Sequence, residues 1–225
     1  MATTLPRDAH ARNSEGDRHE DRATQHRAEI PGPPLARWLF LSPQAAWLWL
    51  PLRLYLGWSW LQHGLEKVNN PAWTQSGEAL AGFWGNAVTT DPKPVITVSW
   101  YRAFIESLLG AQAYTWFSDL VVYGEILVGV ALILGAFTGL AAFVGAFMNW
   151  NYIMAGSAGT NPLLLVIAIG LMLGWKVSGW VGLDHWLLPL FGTPWRPGTL
   201  FGGRHARSHH ALADRPLRGH QTPII

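Results

Sequence analysis

Residues 45–64 read AAWLWLPLRLYLGWSWLQHG, an almost uninterrupted apolar stretch. As a helix that rises 1.5 Å per residue, about 20 residues of this kind cross roughly 30 Å of hydrocarbon. The stretch therefore predicts a first membrane-spanning helix. It also indicates that the chain as a whole is a membrane protein.

Three further apolar stretches predict three more spans: residues 120–137, residues 140 to about 155, and residues 162 to about 180. A tight turn at Thr138 and Gly139 is predicted to join the second span to the third. The last span begins with Pro162, which suits a first helical turn. Since the sequence shows no strand pattern, we expect an all-α membrane protein, a bundle of four transmembrane helices.

The composition supports this class of protein. The chain is 49% hydrophobic and 13% charged, against roughly 25% charged for a soluble domain. Its 14 tryptophans and 24 glycines suit helices that pack in lipid with aromatic anchors at the interfaces. The absence of cysteine excludes disulfides, Cys-held zinc and iron–sulfur clusters from this chain. The net charge of +2 and the lack of a basic patch interleaved with aromatics predict no nucleic-acid partner.

The segment between the first two spans, residues 65–118, is predicted to be helical, amphipathic and interfacial. Its apolar residues recur at helical spacing, as at Val98, Tyr101, Ile105 and Leu108. The competing interpretation is a fifth span over residues 95–117. Arg102 and Glu106 argue against that span, because each would cost about 3 kcal/mol near a helix centre.

Arginines flank the predicted bundle on both sides, in an N-terminal arm (residues 1–36) and a C-terminal tail (residues 201–225). Lys and Arg concentrate in cytoplasmic loops, so both termini of this multi-pass protein are predicted to be on the cytoplasmic side of the plasma membrane. The arm and the tail lack an apolar pattern and are predicted to be disordered. Residues 37–200 then form the membrane domain. The arm has no signal-peptide core or cleavage site, so we expect the first helix to be retained.

One face of the first span carries small and cationic residues. Arg53, Gly57, Trp60, Gly64 and Lys67 follow one another at steps of three or four residues, which places them on one side of a helix. The glycines allow a second helix to approach closely. Charged groups at membrane depth are costly, so each cation needs a partner or a function.

Two other spans supply polar residues at matching depth. Counted from the outer ends of their helices, Glu125 lies about 9 Å deep and Asn149 about 10 Å deep, whereas Arg53 lies about 16 Å deep and can extend outward. We predict a polar cluster of Arg53, Glu125 and Asn149. The cluster is either an ion pair that holds the bundle together or an outward-opening pocket that binds a polar headgroup or relays protons.

Histidines do not indicate a haem. His63 and His185 are predicted at opposite membrane faces, whereas one bis-His haem needs both ligands at one depth. No residue spacing indicates a metal site. We therefore expect no haem, iron–sulfur cluster or zinc in this chain.

Two stretches resemble the DoxX/DoxD family: residues 53–67, of form Arg-x3-Gly-x2-Trp-x3-Gly-x2-Lys, and residues 149–162, NWNYIMAGSAGTNP. The resemblance includes the segment around GWKVSGWVGLDHWLLP, residues 174–189. The resemblance extends over about residues 45–190. It implies a DoxX-like four-helix membrane domain and, in the DoxD branch, a subunit of thiosulfate:quinone oxidoreductase, which passes electrons from thiosulfate to membrane quinone. Other family members look like membrane partners of redox or detoxification enzymes.

The leading hypothesis is a membrane subunit of a quinone-linked oxidoreductase, with quinone as a diffusible substrate. Arg53 and Glu125 are the predicted catalytic residues, Arg53 for negative charge on the reduced quinone and Glu125 for proton exchange. Asn149 and Tyr152 are predicted to orient the quinone through hydrogen bonds. Asn151, from the same Asn-rich motif, is counted among the quinone-binding residues.

His63 and Lys67 are predicted at the outer rim, where they attract an anion such as thiosulfate. The partners expected are the lipid bilayer and a second redox subunit or soluble oxidoreductase, with a homo-oligomer also open. A non-catalytic membrane anchor for a soluble redox enzyme is the second hypothesis. A small transporter or channel is the third, weakened by the apolar outer half of the fourth span.

Overall fold

A computed structural model of the protein describes residues 33–193 and 196–202, and the compact unit that carries the site begins at Trp38. The helices are α1 Pro34–Leu41, α2 Ala46–Val68, α3 Pro71–Thr74, α4 Glu78–Val88, α5 Ser99–Gly110, α6 Tyr114–Leu134, α7 Thr138–Met154, α8 Asn161–Leu173, α9 Trp175–Ser178, α10 Asp184–Phe191 and α11 Thr199–Gly202. A 3-10 turn covers Pro43–Ala45, and a two-residue antiparallel ladder pairs β1, Gly192–Thr193, with β2, Arg196–Pro197. Apart from this ladder, the all-helical prediction is confirmed.

Most of the predicted arm and tail lie outside the described residues. Helix α1 begins at Pro34, within the arm predicted as residues 1–36, and α11 ends at Gly202. The helical part of the chain is therefore slightly wider than the predicted domain, residues 37–200.

Four helices form the bundle: α2 packs on α6 and α8, and α7 packs on the same two helices. Each of the four contributes to one apolar core, whose members include Leu56, Trp60, Val128, Leu132, Ala142, Leu164, Ala168 and Leu171. Burial of these side chains supplies the main free energy that holds the helices together once they are formed.

Glycines set the spacing between α2 and α6. A Cβ added to Gly129 would lie 2.5 Å from the backbone nitrogen of Leu61, and one added to Gly64 would lie 2.6 Å from Ile126 Cγ1. A Cβ added to Gly57 would lie 3.0 Å from the carbonyl oxygen of Gly129. The predicted small-residue face of α2 is therefore the face that packs against α6.

The turn between α6 and α7 lies earlier than predicted. Gly135 ends α6 with φ 66°, a left-handed conformation that glycine adopts without strain, and Phe137 has φ 48°. Thr138 is already the first residue of α7. The predicted position at Thr138 and Gly139 is therefore wrong. The turn covers residues 135–137, two to three residues earlier.

The predicted fourth span is interrupted. Helix α8 has 13 residues, about 20 Å of helix, and Gly174 separates it from the four-residue α9. The ring of Trp49 packs where side chains of Gly170 and Gly174 would otherwise stand. A continuous helix over residues 162–180 is therefore wrong, and the Gly170-x-x-x-Gly174 spacing accommodates a tryptophan.

The segment between the first two predicted spans is helical, as expected. It forms α3, α4 and α5 around a second apolar cluster that includes Leu80, Trp84, Ile96, Tyr101 and Ile105. Helix α5 has 12 residues, about 18 Å, too short for roughly 30 Å of hydrocarbon. Residues 95–117 therefore do not form the single long helix that a fifth span requires. We call α3, α4 and α5 the helical cap.

Large apolar side chains cover the outer faces of the bundle. They come from all four helices, among them Leu54, Trp58, Leu120, Leu127, Leu140, Phe143, Leu163 and Val166. Such a surface suits lipid better than water. By length and composition, α6 is the one helix within the described ranges that could cross a membrane. The count of four spans stays a prediction.

Candidate functional site

A buried carboxylate joins three helices of the bundle. Glu125, at the middle of α6, exposes 1% of its surface. Its Oε1 accepts a hydrogen bond from Lys67 Nζ at 2.5 Å and from Tyr152 Oη at 2.6 Å. Lys67 lies near the end of α2 and Tyr152 near the end of α7. We call this the Glu125 end of the bundle.

Close helix packing makes room for this carboxylate. A Cβ at Gly64 would lie 3.2 Å from the Cβ of Glu125, so only glycine lets α2 pass so near the side chain. Lys67 follows Gly64 by three residues and therefore lies on the same face of α2. The spacing Gly64-x-x-Lys67 thus places two features next to Glu125: the space left by the missing glycine side chain and the Lys67 ammonium.

The Lys67 ammonium is also held by aromatic rings. Its Nζ lies 5.1 Å from the ring centroid of Trp73 and 5.7 Å from that of Tyr152. Both distances fall within the range of a cation–π interaction. The Lys67 side chain keeps 21% of its surface exposed, so it connects the buried carboxylate to the surface.

A cavity of about 240 Å³ opens beside this ion pair. Its walls combine aromatic and aliphatic side chains with a few polar groups: Trp60, His63, Lys67, Trp73, Leu80, Phe83, Glu125, Tyr152, Ser157, Asn161 and Leu164. Apolar walls with a small number of converging polar groups are typical of small-molecule sites. The volume lies just below the roughly 300–1,000 Å³ of pockets for drug-sized ligands, which fits a single ring system.

Three residues at the Glu125 end of the bundle contain buried polar atoms that have no hydrogen-bond partner within residues 33–193 and 196–202. They are Glu125 Oε2, Trp60 Nε1 and both amide atoms of Asn149. An unpaired buried polar group costs about 1–3 kcal/mol. Glu125 and Trp60 are both residues of the cavity wall, which places two of the unpaired groups next to the cavity.

The predicted cluster of Arg53 with Glu125 is wrong. Arg53 donates to the carbonyl oxygens of Ser178 at 2.9 Å and Val181 at 2.7 Å, and its guanidinium packs against Gly135. Gly135 lies about ten residues, or about 15 Å, beyond Glu125 along the axis of α6. Because α2 and α6 run antiparallel, Arg53 faces the end of α6, whereas Lys67 faces Glu125.

At that opposite end lies Asp184, a buried residue for which the sequence predicted no role. Its carboxylate accepts hydrogen bonds from the backbone N–H groups of Phe137 at 2.6 Å and Thr138 at 2.8 Å. It thereby caps the start of α7, where a negative charge is favourable. We call this the Asp184 end, and Arg53 stabilises it.

Asn149 and Asn151 are placed differently from Tyr152. Asn149 is fully buried on α7, one turn before Tyr152. The Asn151 amide instead donates to the Phe147 carbonyl at 2.8 Å and accepts from Tyr101 Oη at 3.1 Å. It ties α7 to the helical cap, where burial raises the pKa of the Tyr101 phenol. The assignment of Asn151 to the quinone-binding set is therefore not supported by its contacts.

The cavity also contains residues that the sequence did not single out. Trp73 and Phe83 come from the cap, Ser157 comes from the loop before α8, and Asn161 is the first residue of α8. Asn161 donates to the Ser157 carbonyl at 2.8 Å. Both Ser157 and Asn161 belong to the stretch NWNYIMAGSAGTNP. The second half of this motif therefore also contributes to the cavity, in addition to Tyr152 in its first half.

The two histidines lie in separate surroundings. His63 is exposed and lines the mouth of the cavity, whereas His185 packs edge-on against Trp180 with ring centroids 4.7 Å apart. Within the described ranges, no group of three or more His, Cys, Asp or Glu side chains could hold a metal ion.

A family model described as "TQO small subunit DoxD" matches residues 48–195. The match covers the bundle, the helical cap and every residue that lines the cavity. No curated protein and no solved structure matches the chain.

Proposed function

Because the chain belongs to the DoxD family of TQO small subunits, we propose that it is the membrane subunit of a thiosulfate:quinone oxidoreductase-like enzyme. In this proposal the cavity at the Glu125 end holds the quinone ring. The observation that carries it is a buried carboxylate, paired with a lysine and a tyrosine, in the wall of a small aromatic cavity.

The residues around the cavity suit the chemistry of quinone reduction. Glu125 exchanges a proton with a quinone oxygen, since it is a titratable group at the cavity wall. The Lys67 ammonium stabilises negative charge that develops on the ring. Tyr152 holds the carboxylate in place through its 2.6 Å hydrogen bond. Trp60 and Phe83 provide flat apolar surfaces against which a ring can stack.

Electrons and protons balance with thiosulfate as the donor. Two thiosulfate ions join through a new S–S bond and release two electrons. These electrons, with two protons, reduce one quinone to its quinol. His63 and Lys67 at the mouth of the cavity provide donors and positive charge that favour the approach of an anion. A second redox subunit that oxidises thiosulfate and passes the electrons on is part of this proposal.

The catalytic role predicted for Arg53 is not part of the proposal. Its guanidinium is committed to backbone carbonyls at the Asp184 end. Asn149 stays a proposed quinone-binding residue, because its amide is buried near Tyr152 and has no partner in the described part of the chain.

A second candidate function is a non-catalytic membrane anchor for a soluble redox enzyme. The contacts of Glu125 favour this candidate. Its ion pair with Lys67 links α6 to α2, and its hydrogen bond from Tyr152 links α6 to α7, so both contacts also hold helices together. Buried pairs of this kind can fix one arrangement of a bundle without any catalysis.

The test is thiosulfate-dependent reduction of added decylubiquinone or menadione by membranes that contain this chain, with and without co-expressed redox partners. We expect Glu125→Gln to lower the rate by about 100-fold or more. Glu106→Gln, which alters an exposed carboxylate on α5, is the matched control and should leave the rate unchanged. Protein amounts are compared by immunoblot.

Two results would contradict the proposal. An unchanged rate in Glu125→Gln would remove the catalytic role of this carboxylate. Activity that resides entirely in a co-purifying soluble protein, with no dependence on the cavity residues, would establish the anchor function instead.

A further inference from the structure

The two oxygens of Glu125 have unequal surroundings. Oε1 accepts from both Lys67 Nζ and Tyr152 Oη, whereas Oε2 is buried and has no hydrogen-bond partner in residues 33–193 and 196–202. Glu125 is part of the cavity wall, and Oε2 is the oxygen of its carboxylate that still has hydrogen-bonding capacity to offer. The protonation state of Glu125 then decides whether its carboxyl group can donate a hydrogen bond to a ligand or only accept one.

An ionised carboxylate only accepts hydrogen bonds, whereas a protonated one also donates through its O–H. A quinone carbonyl is likewise only an acceptor, so an ionised Glu125 and a quinone oxygen present two acceptors to each other. A quinol hydroxyl is a donor and matches the ionised form. Unpaired buried acceptors are costly, so the two redox states of the ring favour opposite protonation states of Glu125.

We propose that Glu125 couples ligand redox state to proton binding: quinone binds with uptake of a proton by Glu125, and quinol binds to the ionised carboxylate without uptake. This inference rests on the proposed function, since it takes the cavity as a quinone site. The proton taken up on binding is one of the two that the ring needs when two electrons reduce it.

The surroundings of Lys67 allow Glu125 to be neutral. If the carboxylate takes up a proton, the ammonium loses its counter-charge. Lys67 keeps 21% of its side chain exposed, and it remains next to the rings of Trp73 and Tyr152. Water and cation–π contacts can therefore compensate for the ionic contact that is lost.

The titratable groups that line the same cavity are few. Helix α2 contributes Lys67 and His63, and α7 contributes Tyr152. The cap and the start of α8 contribute uncharged residues to the lining: Trp73, Leu80, Phe83, Asn161 and Leu164. Of the titratable groups, Glu125 is the carboxylate at the cavity wall, and its Oε2 is free to carry a proton that contacts the ligand.

Isothermal titration calorimetry on the full chain in nanodiscs tests this coupling. Decylubiquinone and, without oxygen, its quinol are titrated in two buffers of different ionisation enthalpy, because the difference in observed heat gives the number of protons taken up. For wild-type protein we expect up to about one proton per quinone bound and none per quinol. Quinone affinity should fall as pH rises, by at most about tenfold per pH unit.

Glu125→Gln should bind quinone with no proton uptake, since the amide already offers an N–H donor. Glu106→Gln should behave as wild type. If Glu125→Gln does not fold, the comparison of quinone with quinol on wild-type protein still decides the question.

The outcomes separate two failures. Binding of neither ring form overturns the proposed quinone site. Quinone binding without proton uptake overturns the coupling and leaves the quinone site in place. Proton uptake that persists in folded Glu125→Gln overturns the assignment to Glu125.

Discussion

Lys67 Nζ lies 2.5 Å from Glu125 Oε1 and joins the end of α2 to the middle of α6. The contact forms between a nearly inaccessible carboxylate and an ammonium that still reaches the surface. Removal of either partner therefore has unequal consequences, because the residue left behind is differently solvated.

We expect Lys67→Met to be more destabilising than the double variant Lys67→Met with Glu125→Gln. The single change leaves a buried charge without its partner, and we expect a cost of about 1–3 kcal/mol, below the 3–5 kcal/mol of a fully buried pair. Thermal unfolding in detergent measures the difference, with exposed Lys93→Met as the control. Equal melting temperatures for the single and double variants would show that the unpaired Glu125 carboxylate carries no such cost.

Arg53→Gln should reduce the amount of folded protein. The guanidinium donates to the carbonyl oxygens of Ser178 and Val181 near Asp184, and its loss leaves both without this partner, at a cost of about 1–3 kcal/mol each. Arg53→Lys should recover only part of this stability, because an ammonium lacks the planar fork. Arg102→Gln on α5 is the control. A folded Arg53→Gln protein with specifically lost quinone turnover would restore the catalytic role.

Gly129→Ala should separate α2 from α6. The new methyl would lie 2.5 Å from the backbone nitrogen of Leu61, and overpacking of this kind costs about 1–3 kcal/mol. Gly85→Ala in α4 is the matched change, with no atom within 4 Å of the new methyl. It should be neutral or stabilising by up to about 1 kcal/mol. Similar unfolding temperatures for both variants would contradict the close backbone contact.

The cysteine-free chain permits a direct test of topology. We expect Thr90→Cys, in the loop between α4 and α5, to react with an impermeant maleimide from outside intact cells. His185→Cys, at the Asp184 end, should react only after the membrane is opened. Both residues are exposed. Labelling of both positions from the same side would contradict the predicted orientation and the separation of the two ends across the membrane.

The helical secondary structure could be predicted from the sequence, because a long apolar stretch in a membrane has few alternatives to a helix. Helix ends were less predictable, since they depend on local conformation. The interruption at Gly174 and the left-handed Gly135 and Phe137 leave little trace in hydropathy. This is why the fourth predicted span was too long and the turn before α7 was displaced.

The site was predicted in part. Glu125, Lys67, His63 and Tyr152 do share one cavity, but the sequence paired Glu125 with Arg53. Depth counted along isolated helices ignores which faces meet, and the register between α2 and α6 is set by glycine contacts that only the fold reveals. Trp73 and Phe83 were missed for a related reason, since the packing of the cap is long-range.

The glycine contacts along α2 and α6 also determine how a ligand can reach the cavity. From Gly57 to Gly64 the two backbones leave no room for a ring between them. A quinone bound as proposed must therefore enter away from this contact, at the mouth of the cavity beside His63 and Lys67. Both of these side chains reach the surface, so substitutions at His63 or Lys67 would change the opening that a ring must pass as well as the charge around it.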